Sequence, residues 1–220
     1  MPATEANPSD ISHAALAEKD EVDPELLELP DPPRRERRST LLLMALAAVA
    51  SAGMAASLTR DAAYAFRSTS ATDLGDLSAS PTAAFTSNEL VQGHGRLGGA
   101  GALRYERPFE SDSYRIAPVA NRADVWVELR VPSGEENNRF VPKAEFAGRL
   151  VRFGDVGLRH RGLRGAIEDR TGQKVSKDAY LLVDGQTPSD ARAFALLWAM
   201  FVSFALWNVV TIFRLVRKVK

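Results

Sequence analysis

An apolar run near the end of the chain constrains the fold more than any other feature. It extends from Ala193 to Phe213, 21 residues without a charged side chain, between Arg192 and Arg214. A helix rises about 1.5 Å per residue, so about 20 apolar residues cross a hydrocarbon core of about 30 Å. The run therefore predicts a membrane-spanning helix, and the rest of the chain must lie on one side of a membrane or the other.

A second uncharged run of 21 residues extends from Ser39 to Thr59, directly after the basic sequence RRERR. Arginines before an apolar run and the small-x-small sequence Ala63-Tyr64-Ala65 are typical of a cleaved signal peptide. A long acidic segment before the run, and a run longer than the usual h-region of about 7 to 15 residues, favour a retained anchor. We predict a first membrane helix over 39–59, with Gly53 and Ser57 on a small-residue face suited to helix contact.

The first 33 residues carry nine acidic side chains against Lys19 alone, together with six prolines. Few large apolar residues are present to offset the entropy cost of ordering, which is typical of a disordered segment. We predict a disordered acidic tail that ends in the basic sequence before the first helix, so that it occupies residues 1–38.

Basic residues are concentrated at the outer ends of the two apolar runs. They are Arg34, Arg35, Arg37 and Arg38 before the first run, and Arg214, Arg217, Lys218 and Lys220 after the second. Lysine and arginine near the ends of spans mark the cytoplasmic side. This distribution predicts an inner-membrane protein with both termini cytoplasmic, including a basic end over 214–220, and the intervening domain periplasmic.

Six stretches between the two runs have the composition of β-strands. In the sequence DVWVELRV, apolar residues at every second position predict a half-buried strand, with Trp126, Glu128 and Arg130 on its other face. The six are Glu89–Leu97, Ala102–Arg107, Asp112–Val119, Asp124–Val131, Phe146–Phe153 and Ala179–Val183. Short strands at this spacing predict a small mainly-β domain, a barrel-like antiparallel α+β fold or curled sheet, over residues 89–186.

One helix is expected within this domain and a flexible connection before it. Leu163 and Ile167, four residues apart, and Gly172 as a C-cap predict a helix near 160–171. Residues 60–88 are rich in Ser, Thr and Ala, with few large apolar side chains. They predict a tether that follows the first membrane helix.

The second membrane helix has a recognisable start. Thr187 can cap it, Pro188 suits a first helical position, and Asp190 stands where a capping box has its acid. We therefore predict a capped helix over 187–213 that begins just after the domain, which places the domain close to the bilayer surface.

The sequence contains few residues that could carry chemistry. It has no cysteine, which excludes thiol catalysis, cysteine-ligated zinc and disulfides. The glycine motif at Gly93–Gly98 matches G-x-G-x-x-G, but no helix is predicted after it, so we interpret it as a turn or bulge rather than a dinucleotide site. His94 and His160 lack metal-ligand spacing. We predict no catalytic residue, cofactor or metal, and no nucleic-acid partner.

Two sets of residues are candidates for binding. One is a cluster of arginines that could meet lipid phosphates or an acidic partner, or form a solvated face paired with Glu168 and Asp169: Arg149, Arg152, Arg159, Arg161, Arg164 and Arg170. The other is Asn208 with Ser203 in the second membrane helix. A polar side chain in hydrocarbon favours a partner across a helix interface, in the first helix or in another integral membrane protein; water or headgroups could satisfy Asn208 instead.

Several stretches resemble, in the same order, the SURF1-like family of cytochrome oxidase assembly factors. They are ELVQGHGRLG at Glu89–Gly98, Val125–Pro142 with NRFVP at its end, HRGLRGAIEDRTG at His160–Gly172, the following LLVDGQTP, and Trp198 early in the second span. The resemblance implies two spans around an extracytoplasmic β-rich domain. The family's second span opens with a histidine implicated in haem handling. The region Asp190–Phe194 has none here, so the resemblance does not imply haem binding.

The sequence therefore favours a non-enzymatic accessory or assembly protein that is anchored in the lipid bilayer and acts on a membrane complex. Two alternatives stay open. One is an extracytoplasmic module that binds a lipid or another ligand through the arginine cluster, and the other is a membrane-bound enzyme without a recognisable motif.

Overall fold

The computed structural model of the protein describes residues 34–99, 101–107, 110–133 and 143–217. The chain divides into two compact units, Met1–Leu43 and Met44–Lys220. In the first unit, the described residues 34–43 form the start of helix α1 (Arg34–Tyr64). Residues 1–33 of the tail predicted over 1–38, the NRFVP sequence and the last three residues lie outside the described ranges. The prediction of disorder was wrong for residues 34–38, which belong to helix α1.

Two of the three α-helices in the described ranges are long and apolar enough to cross a membrane. These are α1 and α3 (Arg192–Arg217), whose candidate spans Arg37–Tyr64 and Arg192–Arg217 have mean hydropathies of 2.1 and 2.0. Large apolar side chains on α3 are exposed, and Trp207 has 71% of its surface open. A core helix of a soluble protein would bury such side chains. The two predicted apolar helices are thus confirmed as elements of the fold.

The domain between them is built on one mixed sheet of seven strands. The strands are β1 (Thr72–Asp76), β2 (Glu89–His94), β3 (Leu103–Glu106), β4 (Ser113–Pro118), β5 (Val125–Val131), β6 (Glu145–Arg152) and β7 (Tyr180–Asp184). Their order across the sheet is β1-β2-β6-β7-β5-β4-β3. All six predicted strands are present, with somewhat different ends.

The prediction of an antiparallel barrel was wrong in two respects. The pairs β1–β2 and β5–β7 are parallel, and among the described strands β1 and β3 each pair on one side only, so the sheet is not closed. The long connection from β5 to β7, which includes helix α2 (Leu163–Thr171), permits the parallel pairing. An isolated bridge between Leu97 and Val119 joins the chain after β2 to the chain after β4, which shows that the sheet curls.

Both faces of the sheet are covered, because α2 packs on one face while the sheet curls around a core on the other. The inner core includes Val127, Phe146 and Leu182. The outer core includes Trp126 and, from α2, the predicted Leu163 and Ile167. The prediction that β5 is half-buried was therefore wrong: Trp126 and Glu128, assigned to its solvent face, are both buried.

The predicted tether over 60–88 is instead part of the folded domain. α1 continues to Tyr64, β1 follows, and Leu77 and Phe85 are buried in the inner core. Arg122 fixes this segment by donating to the backbone oxygen of Leu77 at 3.0 Å. The segment has few large apolar residues, but these two are enough to pack it against the sheet.

The helix ends follow the predicted capping in part. Gly172 ends α2 in the left-handed conformation at φ 68°, and its N–H donates to Glu168 O at 2.9 Å. Before α3, the N–H of Thr187 donates to Asp190 Oδ2 at 2.8 Å, which is the acid half of a capping box. The regular helix begins only at Arg192, after a turn.

Candidate functional site

Two opposite charges are buried on the α2-covered face of the sheet. Glu128 on β5 has 1% of its surface exposed and Arg149 on β6 has 5%. Both are paired in register with Val183 of β7, which lies between them. Directly opposed residues of neighbouring strands point to the same face of a sheet. Glu128, Val183 and Arg149 therefore all point to the face that α2 covers. Each of the two charges needs a partner within the protein, since burying an unpaired charge is costly.

Arg149 takes its partners from the last turn of α1 and from the loop before β2. Its Nη1 lies 2.7 Å from Asp61 Oδ1, and its Nε donates to Asn88 Oδ1 at 2.8 Å. The guanidinium stands over the ring of Tyr64, with 4.6 Å from Cζ to the ring centroid. Tyr64 in turn donates its hydroxyl to Gln186 O at 2.9 Å. These contacts fix the end of α1 to the sheet.

Glu128 takes its partners from β3 and from the turn before α2. Arg107 donates from Nη2 to Glu128 Oε1, and His160 Nε2 lies 2.8 Å from Oε2. Burial alone would raise the pKa of the Glu128 carboxyl, but the neighbouring His160 and Arg107 outweigh it and hold this pKa below its ordinary value. The carboxylate is therefore charged at neutral pH.

His160 cannot satisfy both of its neighbours in this arrangement. Its Nε2 also lies 3.0 Å from Arg107 Nη2. A ring nitrogen that accepts from Arg107 cannot donate to Glu128 at the same time. Within the described residues, Glu128 Oε2 and Arg107 Nε are buried without a hydrogen bond of good geometry. Two atoms of this buried cluster are thus short of partners.

Aromatic rings support the cluster on the side of β3 and β4. Tyr105 and Tyr114 are stacked with 5.6 Å between centroids, and the Arg107 guanidinium lies 3.8 Å from the centroid of Tyr114. Tyr114 donates to Glu110, which also pairs with Arg159 at 3.0 Å. Burial, and next the charge of Glu128, raises the pKa of Tyr105, so its phenol stays protonated.

A cavity of about 210 Å³ adjoins this cluster at the start of α3. Its lining includes Arg107, Glu128, Asp184, Gln186, Asp190 and Phe194. Strands β5 and β7 supply Glu128 and Asp184, and the turn after β7 supplies Gln186 and Asp190. Arg107 follows β3, and Phe194 comes from the first turn of α3. Polar groups that converge on a cavity, several of them buried, make this the candidate binding site of the chain.

The predicted arginine cluster does not form one surface. Arg149 is buried against Asp61, Arg152 donates to Tyr180 OH at 3.3 Å, and Arg159 pairs with Glu110 beside the cavity. Arg161 is exposed and Arg164 is half-buried. Of the six arginines in the predicted cluster, Arg159 alone lines the cavity. These arginines therefore do not form one anion site, and contact of any of them with an anionic partner stays a prediction.

The residues predicted to make helix contacts differ in burial and do not form one surface. Asn208 is the buried residue of α3, with its amide donating to Phe204 O at 2.8 Å in its own helix. Ser203 and Gly53 lie on exposed faces, and Ser57 donates to Met54 O at 2.7 Å. Asn208 thus stands inside the protein, while Ser203 and Gly53 face outward. Contact of these residues with another membrane protein stays a prediction.

The glycine motif and the histidines have other places in the fold. Gly93 and His94 end strand β2, and the next element in the described chain is strand β3 rather than the helix that a dinucleotide site needs. His94 borders a separate open pocket with Asp73 and Lys143. Among the described residues, no group of three or more His, Asp or Glu side chains is arranged to hold a metal.

Sequence reasoning missed the residues that organise the site. Asp61 lay in a presumed tether, Arg107 at the end of a short strand, and Glu128 on a face taken as solvated. One signal was present: Trp126 shares the face of Glu128, and a tryptophan on a strand face indicates that something covers it.

Comparison with protein-family models, with curated proteins and with solved structures finds no match. The resemblance to cytochrome oxidase assembly factors therefore stays a hypothesis, and function has to be argued from the geometry alone.

Proposed function

We propose that this protein is a non-enzymatic, membrane-anchored accessory protein that helps to assemble or stabilise a membrane complex. The buried pair between Asp61 and Arg149 carries the proposal, because it joins the end of α1 to the sheet. A domain attached in this way moves with its helix and presents a fixed surface at the membrane. Such a rigid presentation suits a scaffold more than a domain on a free linker.

The start of α3 supports the same picture. The turn over residues 185–191 leads from β7 directly into the helix, and Ala191 within it is fully buried. Thr59 of α1 accepts from Trp198 Nε1 of α3 at 3.2 Å. Both helices thus leave the same side of the domain in contact with one another, as a two-span protein requires.

The distribution of basic residues supports the proposed orientation, with both termini in the cytoplasm and the domain in the periplasm of an inner membrane. Arg60, at the inner end of α1, is paired with Asp155 at 2.7 Å. The rule counts basic residues, and the RRERR sequence at the other end of the helix carries four of them.

Two experiments test the proposal. A reporter fused at residue 140 is expected to be active outside the cytoplasm, and one at residue 220 inside. Affinity purification of the full chain in a gentle detergent is expected to recover an integral membrane partner in fixed stoichiometry. Activity of both fusions on one side of the membrane contradicts the topology, and recovery of the chain alone contradicts the assembly role.

The cavity at the start of α3 favours a second candidate function, a module that binds a lipid or another small ligand. It is compatible with the first, since an accessory protein can position itself through a bound lipid. Co-purification of lipid without a protein partner would favour this candidate.

A further inference from the structure

The cavity at the start of α3 collects buried polar atoms that lack partners. Among the described residues, five buried side-chain nitrogen or oxygen atoms have no hydrogen-bond partner. Three of them belong to residues that line this cavity: Arg107 Nε, Gln186 Oε1 and Glu128 Oε2, which has His160 Nε2 at 2.8 Å but no hydrogen bond of good geometry. Most buried polar groups in proteins are paired, and each exception calls for an explanation. Two of these three atoms are acceptors, so the cavity requires hydrogen-bond donors.

The charges around the cavity balance, with three arginines and three carboxylates in its lining, and this suits a zwitterionic ligand. Each lining arginine already has an acid of its own, since Arg107 pairs with Glu128, Arg130 with Asp112, and Arg159 with Glu110. Two carboxylates remain beyond these pairs.

The two remaining carboxylates are Asp184 and Asp190. Asp184 accepts from the N–H of Ala147 at 3.1 Å, and Asp190 accepts from Thr187. The charge of Lys143 reaches Asp184, but no ion pair joins the two within the described ranges. Together with Glu128, Asp184 and Asp190 equal the three lining arginines in number, so the lining carries no net charge and does not form the anion site that the arginines alone would predict.

The size of the cavity limits what it can hold. A volume of about 210 Å³ corresponds to about seven water molecules at about 30 Å³ each. Pockets for drug-sized ligands begin near about 300 Å³. The space therefore suits a small polar headgroup rather than a whole cofactor or a peptide segment.

The position of the cavity indicates where such a headgroup comes from. Phe194 and Asp190 line it from the start of α3, where an apolar helix passes from the domain into the hydrocarbon layer. The headgroup region of a bilayer lies at that level. Arg130, with 68% of its side chain exposed, and Arg159 stand at the solvent side of the same cavity, where a phosphate could reach them.

We propose that the cavity binds the headgroup of an ethanolamine phospholipid, with its primary ammonium against Glu128 and Gln186 and its phosphate near Arg130 and Arg159. The three N–H groups of the ammonium supply the missing donors, and the zwitterionic headgroup as a whole matches the neutral lining. The unpartnered Nε of Arg107 is left for a headgroup oxygen. This inference depends on the membrane anchoring proposed above.

Lipid titration of the full-length protein in a mild detergent tests the inference, with bound lipid counted by native mass spectrometry. Ethanolamine, choline and glycerol phospholipids with identical acyl chains are compared. The ethanolamine lipid is expected to bind at least tenfold more tightly than the other two. Choline carries the same positive charge without N–H donors, so equal binding of the two zwitterionic lipids overturns the hydrogen-bonding argument.

Two variants test whether the preference for the ethanolamine lipid comes from this cavity. Glu128→Gln removes the buried charge at nearly constant shape, and Gln186→Leu removes one orphan acceptor while the backbone oxygen that Tyr64 uses remains. Each is expected to reduce the ethanolamine preference at least fivefold. Asp178→Asn, on an exposed side chain, is the matched control and should leave it unchanged. If Glu128→Gln fails to fold, Gln186→Leu decides, and an undiminished preference in a folded variant overturns the proposal.

Soluble O-phosphoethanolamine separates the lipid from a free amine as the source of the headgroup. Competition by this compound, together with equal affinity for all three lipids, assigns the site to a soluble amine and overturns the lipid proposal. Carbonate extraction tests the anchoring independently. A chain that stays in the membrane but shows no lipid preference refutes this inference alone, whereas a chain that carbonate releases refutes the proposed function.

Discussion

Glu128 and Arg149 stand on the same row of the sheet with Val183 between them, and each is neutralised by a different part of the chain. Glu128 is paired by Arg107 and His160. Arg149 is paired by Asp61, at the end of α1. The two charges have the same burial but different roles, because one pair faces a cavity while the other joins a helix to the sheet.

The Asp61–Arg149 pair should couple strongly in a double-mutant cycle. Asp61→Leu leaves Arg149 buried and unpaired, which we expect to cost about 3–5 kcal/mol of unfolding free energy. Asp61→Leu with Arg149→Met removes both charges, and most of the loss should be recovered, because apolar replacement of a buried pair is often neutral. Chemical unfolding in detergent gives the unfolding free energies of the wild type, of Asp61→Leu and Arg149→Met alone, and of the double variant.

The exposed pair between Asp178 and Arg152 is the control for this cycle. Its charged atoms are 3.9 Å apart and the Asp178 side chain has 87% of its surface exposed. Asp178→Leu should leave the unfolding midpoint unchanged, since exposed pairs contribute little. Equal losses from Asp61→Leu and the double variant would show that packing, not charge pairing, holds the end of α1.

Gly157 makes room for Asp61. A Cβ built at Gly157 would lie 2.5 Å from Asp61 Oδ2, so the carboxylate must move away from Arg149 if a side chain is added. We expect Gly157→Ala to destabilise the protein by about 1–3 kcal/mol, the usual cost of overpacking.

Gly165→Ala is the control for Gly157→Ala. A Cβ at Gly165 meets nothing within 4 Å, and the residue lies inside helix α2. Gly165→Ala should stabilise the protein by about 0.5–1 kcal/mol, since alanine is the better helix former. Thermal unfolding of both variants checks the pair. A Gly157→Ala protein as stable as the wild type would show that Asp61 is not confined.

Much of this fold could be predicted from the sequence, because strands and apolar helices depend on local patterns. The alternation in DVWVELRV placed β5, and the two uncharged runs placed α1 and α3. The capping glycine Gly172 marked the end of α2. Each of these signals is complete within about twenty consecutive residues and needs no knowledge of distant contacts.

The site could not be predicted in the same way, because it depends on contacts between distant residues. Asp61 and Arg149 are 88 residues apart in the chain, and Arg107 and His160 are 53 apart. Whether Arg149 joins an anion site or a buried pair depends on where α1 ends, which composition does not give. The strand order β6-β7-β5 brings the two charges together, and it became visible only in the structure.

The titration of Asp184 should lower stability as the pH rises. Burial raises the pKa of its carboxyl above the ordinary 3.8, with the Ala147 N–H and Lys143 opposing. A raised folded-state pKa favours folding below the unfolded pKa, and this contribution is lost as the pH rises through the folded value. Asp184→Asn should therefore be more stable than the wild type near neutral pH and should lose this advantage below the ordinary pKa.

Unfolding of both proteins across this pH range is the measurement for Asp184. The asparagine retains an oxygen for the Ala147 N–H, so the comparison isolates the charge. A stability difference that stays constant with pH would mean that the titration of Asp184 does not cause it.

Retention of α1 has a direct consequence for the mature chain. Cleavage after Ala65 would remove Asp61 and Tyr64, the residues that contact Arg149. We expect the N-terminus of the membrane-bound protein to precede residue 39. We also expect a chain that begins at Phe66 to be degraded by protease faster than the full chain. N-terminal sequencing and limited proteolysis check the two expectations, and a stable mature form that starts near Phe66 would contradict both.

Asn208 should matter more for association than for folding. Counting from the contact between Thr59 and Trp198, Asn208 lies ten residues along α3 and the buried Ala48 lies eleven residues back along α1, about 15 Å in each case. Asn208 therefore stands level with the small-residue face of α1. Its amide donates within its own helix, and within the described residues no hydrogen bond joins it to α1. An interhelical bond to another membrane protein, worth about 0.6 kcal/mol, stays a prediction.

Asn208→Leu should accordingly change the unfolding free energy by less than about 1 kcal/mol. If the buried amide exchanges its internal bond for one to another membrane protein, the same substitution should reduce recovery of that partner in gentle detergent several-fold. Ser203→Ala, on an exposed face of the same helix, separates the two surfaces. Loss of the partner with Ser203→Ala but not with Asn208→Leu would place the contact on the outward face of α3 and would make the buried amide a purely internal feature of the helix pair.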